Sequence, residues 1–327
     1  MILDTFQQHG IKRFVFILFC IIVLFGQKIA VVTEINSPQP VIPMESFLVS
    51  LTSANIYMSA FVKIALLLIC SYGFLVTLSL HDTLPGKKYL AVMLFLCIVS
   101  VFTNAQNIVG SVCALFFQLF AFYNLFRTYH SNRVKSLVFL AAFFTGISIL
   151  FSFAFSIAII NLIAGIWIFS VITWRTIISM LFGLLAPFMF LLCFFQLAYH
   201  DISPMLHAVE NNFNSLFFGL FDFDNFSMIF IGLVFVITFF SAFKTVRYAK
   251  VIQKMINRLF YFLFITSFII IIFVSSTQSY GIMLFGISSA YFLARFSQLV
   301  RRKWLAEFIV IAILIAAIAY NNYTLFL

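Results

Sequence analysis

The stretch KKYLAVMLFLCIVSVFTNAQNIVGSVCALFFQLFAFYNLFR, Lys87–Arg127, holds two apolar runs between basic ends. Crossing the hydrocarbon core of a bilayer takes about 20 apolar residues as a helix, within a range of roughly 17–25. The runs 89–104 and 107–126 fit that scale. Neither alternates apolar and polar residues as a barrel strand does. Lys and Arg collect on the cytoplasmic side of spanning segments. With cations at both ends, the chain must cross an even number of times between Lys87 and Arg127, and a helical hairpin turning at Asn104–Asn107 does so.

The same argument extends in both directions. From Lys135 to Arg175, and again from Arg258 to Arg301, basic ends enclose enough apolar chain for two crossings. The chain reads as an all-α polytopic bundle, one integral membrane domain over residues 1–327, with eleven spans. These are 14–33, 56–80, 89–104, 107–126, 137–152, 155–173, 177–198, 227–243, 259–274, 280–299 and 304–320. The first run resembles a signal peptide but is longer than an h-region and lacks an Ala-x-Ala site, so it reads as an uncleaved anchor. Placing the N-terminus inside puts 17 of the 19 Lys and Arg residues on the cytoplasmic side; Lys28 and Lys63 are the remainder. Eleven crossings put the C-terminus outside.

Composition agrees. Hydrophobic residues make up 64% of the chain and charged residues 9%, against roughly a quarter charged in soluble domains. The net charge of +10 follows the membrane topology, so nucleic acid is not expected as a partner. The five cysteines lie singly in apolar runs, without the paired spacing of a metal or disulfide framework. No cofactor or metal is expected.

Acids distribute the other way. Glu34, Glu45, Asp201, Glu210, Asp222 and Asp224 all fall in two outer loops, about 34–55 and 199–226. The densest polar stretch, HDISPMLHAVENN (His200–Asn212), lies in the second. Between the inner ends of two spans, 244–258 is amphipathic at helical period. Lys244, Arg247, Lys250, Lys254 and Arg258 share one side, as on a helix lying against anionic headgroups or a cytoplasmic partner. Lys63 lies seven residues into the second span, close enough to its end to snorkel outward. Pro187 interrupts the seventh span and is expected to kink it.

The segment RTYHSNRVKSLVFLAAFFTGISILFSFAFSIAIINLIAGIWIFSVITWRTIISMLFGLLAPFMFL resembles a family of polytopic inner-membrane proteins from Bacteroidota that has no established activity. The resemblance rests on the basic loop Arg127–Lys135, the hairpin 137–173, Trp174-Arg175, and Gly183 with Pro187. Arg301-Arg302-Lys303-Trp304 and Glu307 extend it to the end of the chain. It implies a place in the cell envelope.

The architecture also resembles the C-type glycosyltransferases, which take polyprenyl-phosphate-linked sugars, although their paired acidic motif and folded periplasmic domain are missing here. That resemblance implies Glu34 or Glu45 as general base and His200, Asp201, His207 and Glu210 as substrate contacts. Lys63 or Lys28 would hold the donor phosphate. Two other expectations stand beside it. One is a non-enzymatic membrane subunit of an envelope assembly or secretion complex. The other is a lipid or small-solute transporter, disfavoured by the lack of an intramembrane Asp, Glu and His chain.

Overall fold

The computed structural model describes residues 17–25, 56–102, 108–129, 131–199, 225–246, 251–273, 278–300 and 303–323. Among them there are eleven α-helices, two short 3₁₀ turns and no strand. The helices are α1 (17–25), α2 (Ile56–Ser79), α3 (Lys88–Phe102), α4 (Ile108–Phe126), α5 (Val134–Phe151) and α6 (Ala158–Ile168). They continue with α7 (Trp174–Tyr199), α8 (Asn225–Val246), α9 (Val251–Phe273), α10 (Gln278–Leu299) and α11 (Lys303–Tyr323).

Six helices are long and apolar enough to cross a membrane: α2, α4, α5, α7, α9 and α10. Shorter apolar helices occupy Lys88–Val101, Phe155–Ile168, Ile229–Ala242 and Ala306–Tyr320. The chain is a multi-pass membrane protein. Its lipid-facing surface is plainest on α7, where Phe182, Leu185, Phe190, Phe194 and Leu197 are all exposed. Water would penalise such a band, whereas hydrocarbon accepts it. Trp174 and Trp304, at the starts of α7 and α11, are 74% and 69% exposed, as expected of indoles at an interface.

The centre is built differently from what hydropathy suggests. The run 89–104 is apolar on every face, which would suit lipid, yet every residue from Leu90 to Val101 is buried. The helix α3 packs against α2, α10 and α11, so protein surrounds it. The other central helix, α10, carries more polar groups than its neighbours. It is buried from Gly281 to Arg295, and its Ser288 and Ser289 hydroxyls donate to the Leu284 and Phe285 carbonyls one turn back. Polar groups avoid hydrocarbon, so the more polar helix takes the middle. Cys20, Cys70, Cys97 and Cys113 are buried, and Cys193 on α7 is exposed.

The expected span 155–173 is replaced by a 3₁₀ turn (Phe153–Ile157) and the 11-residue α6. Together they rise about 26 Å, slightly less than the roughly 30 Å hydrocarbon core. Ser170, at φ 54°, turns the chain back toward α7. Pro187 sits within α7 without ending it. The proline has no N–H to give the Gly183 carbonyl, and its ring lies over Gly146 of α5. A Cβ on Gly146 would stand 2.9 Å from the Leu184 carbonyl oxygen and 3.0 Å from Pro187 Cγ. A Cβ on Gly183 would stand 2.5 Å from the Phe139 carbonyl oxygen. Two glycines therefore set the close approach of α5 and α7, the most extensive helix pair among the described residues.

Candidate functional site

Four basic or polar connections meet at one end of the bundle. His81, at φ 57° in the turn after α2, places Nε2 3.1 Å from the Phe126 carbonyl oxygen at the end of α4. Lys87 donates to the Ser297 carbonyl at 2.6 Å, and Gln298 Nε2 donates to the Pro85 carbonyl at 2.9 Å. Ser179 near the start of α7 donates to the Lys135 carbonyl at 2.8 Å. The connector 81–88, the loop after α4, the start of α7 and the end of α10 are thus joined in one layer. These are the segments whose cations the sequence places inside.

Within this layer α9 and α10 build a buried polar cluster. Gln253 and Asn257 are four residues apart on α9, and Tyr291 and Arg295 are four apart on α10. That spacing puts each pair on one helix face. Arg295 Nη1 donates to Asn257 Oδ1 at 3.0 Å and to the Tyr291 hydroxyl at 2.9 Å; Nη2 reaches Gln253 Oε1 at 3.4 Å. Tyr291 donates to Asn257 Oδ1 at 2.5 Å. A guanidinium only donates, so all three oxygens it meets must accept, and the phenolic proton goes to Asn257. The amide orientation follows: Oδ1 faces Arg295 and Tyr291, leaving Nδ2 as the free donor. Phe260 stacks on the Tyr291 ring, with centroids 4.1 Å apart, and holds it in place.

The burial is deep. Asn257 and Tyr291 are fully buried, and Arg295 is 6% exposed. Among the described residues no carboxylate pairs with Arg295. The cluster therefore carries a net positive charge that protein groups solvate through oxygens alone. Outside it, Lys254 and Arg258 are exposed on α9.

Lys63 is the second buried cation. It lies on α2, seven residues from Ile56 and sixteen from Ser79, so about 24 Å of helix separates it from the 81–88 end. Its side chain is 7% exposed, covered by protein rather than extended into solvent as snorkelling requires. Lys63 and Arg295 thus occupy opposite ends of the bundle.

Glu34, Glu45, His200, Asp201, His207 and Glu210 lie outside the described residues, as do Lys28, Arg247 and Lys250. Lys244 falls in the last turn of α8, while Lys254 and Arg258 belong to α9, which continues as a long apolar helix to Phe273. Of the basic stretch 244–258, residues 244–246 end α8 and 251–258 begin α9, and 247–250 lie outside the described residues. The Arg295 cluster escaped the sequence reading, in which Arg295 counted only as a topological charge. Its signal was the four-residue spacing of polar groups on two otherwise apolar helices.

No family model, curated protein or solved structure matches this chain.

Proposed function

We propose that this is an inner-membrane protein of the cell envelope, with eleven crossings, its N-terminus inside and its C-terminus outside, that holds a polyprenyl-phosphate-linked glycan at the outer leaflet. The reading rests chiefly on Lys63. A lysine inside a span is costly unless something anionic uses it. Lys63 is buried without an acidic partner among the described residues, at the end of the bundle away from the basic layer. A lipid phosphate entering from the outer leaflet meets that requirement. Glu34 and Glu45, in the loop leading into the same helix, would then supply the base, and His200, Asp201, His207 and Glu210 the sugar contacts.

The topology has a direct check. In a Cys193→Ala background, cysteines placed at Lys88 and Glu210 should react with a membrane-impermeant maleimide from opposite sides of the membrane. Labelling of both from the same side rules the weave out.

Ligand binding has its own check. Purified full chain should retain undecaprenyl phosphate in native mass spectrometry, and Lys63→Met should weaken retention by about 10- to 100-fold. That range corresponds to losing one charge-assisted hydrogen bond of roughly 1.5–3 kcal/mol. Glu34→Gln and Glu45→Gln should leave retention intact. Equal retention by wild type and Lys63→Met sinks the reading. A non-catalytic subunit of an envelope complex is the second reading, favoured by the exposed Lys254 and Arg258 at the start of α9.

A further inference from the structure

The Arg295 cluster is incomplete as a structural device. Three guanidinium N–H groups are committed to Asn257, Tyr291 and Gln253, which leaves Nε–H and one Nη2–H. The Asn257 Nδ2 is buried and has no hydrogen-bond partner. A buried amide donor left unmade costs about 1–3 kcal/mol, and a buried cation without a counter-charge costs more. A carboxylate would neutralise such a cluster, and among the described residues none pairs with Arg295. Every uncommitted group is instead a donor, and the net charge is positive.

From this we infer that the cluster is an anion-binding site, and that its ligand is a phosphate mono- or diester held at the inner end of α9 and α10. Phosphate suits the donor set because its oxygens accept from a guanidinium fork and an amide together. The depth also suits it. Arg295 lies four residues before the end of α10 and Gln253 two residues after the start of α9, so both stand within about a turn of a helix end rather than at mid-helix. Lys254 and Arg258, exposed on α9, add a positive field at this end of the helix that attracts an anion. Tyr291 is a positioning residue. Its stacking on Phe260 and its bond to Asn257 Oδ1 fix the orientation of the Asn257 amide beside Arg295. The site is separate from the one assigned to Lys63, which lies at the other end of the bundle.

The discriminating variant is Asn257→Asp. It is nearly isosteric and supplies the missing carboxylate, so it should fold and neutralise Arg295 internally. The probes are inorganic phosphate and dioctanoyl phosphatidylglycerol, each titrated against the purified full chain in a neutral detergent. The readout is the thermal unfolding midpoint. Wild type and Lys63→Met should both show a saturable rise with at least one probe. Asn257→Asp should start from a higher midpoint and show at least a tenfold weaker response. A rise with phosphatidylglycerol alone identifies a lipid headgroup as the source, and a rise with inorganic phosphate identifies a soluble phosphate. A flat response of wild type to both probes overturns the assignment. So does an Asn257→Asp protein that responds as wild type does.

Discussion

Gly183→Leu is expected to release α7 from the bundle. A Cβ at this position would lie 2.5 Å from the Phe139 carbonyl oxygen and 2.8 Å from Ala142 Cβ. The first obstacle is backbone of a neighbouring helix, which cannot rotate aside as a side chain can. The two helices must therefore separate, and the damage spreads along their interface. Overpacking costs typically about 1–3 kcal/mol even where side chains can adjust. Here the penalty should exceed that, because α5 is the one substantial neighbour of α7 among the described residues. Association between membrane helices depends on close packing, since lipid tails are as apolar as the side chains they replace. Fluorescence-detected gel filtration should show the monodisperse peak lost. Gly232→Leu is the control: a Cβ there meets nothing within 4 Å, so its profile should match wild type. Equal profiles for Gly183→Leu and Gly232→Leu would mean that α5 and α7 do not meet at this glycine.

The second large effect is in the Arg295 cluster. Asn257→Leu keeps the branched shape of the side chain, at a larger volume, but removes the oxygen that both Arg295 and Tyr291 use. Removing one partner of a buried hydrogen bond strands the other at a cost of about 1–3 kcal/mol, and more where the stranded group is charged. Asn257→Leu should cost on that order, read as a lower unfolding midpoint. Combined with Arg295→Met, which removes the stranded charge, much of the loss should return. The coupling between neighbouring groups of this kind is roughly 0.5–3 kcal/mol. Strictly additive losses would show that Arg295 is solvated by something other than Asn257.

Much of the fold was legible because lipid imposes two simple demands, length and charge placement. Lys87, Lys88 and Arg127 bracket a pair of helices, and the contacts of His81, Lys87 and Ser179 tie the basic segments to one end of the bundle. The internal arrangement was less legible. Hydropathy cannot tell a helix surrounded by lipid from one surrounded by other helices, so α3 gave no sign of its central place. Gly183 and Pro187 were visible as a motif, but their role depends on Gly146, 37 residues earlier on another helix. The candidate site was split in the same way. Gln253 and Asn257 share a face by spacing alone, yet their partners, Tyr291 and Arg295, lie on the next helix, and no local pattern joins them. The outer-loop acids stood out because acids are scarce in this chain, a signal of composition rather than of geometry.

Cys193 lies on the outward face of α7, and the other four thiols are buried. The unaltered chain thus presents one handle to hydrophobic reagents. A nitroxide attached there would report the depth and tilt of α7 in nanodiscs by paramagnetic relaxation, and would follow its detachment in real time.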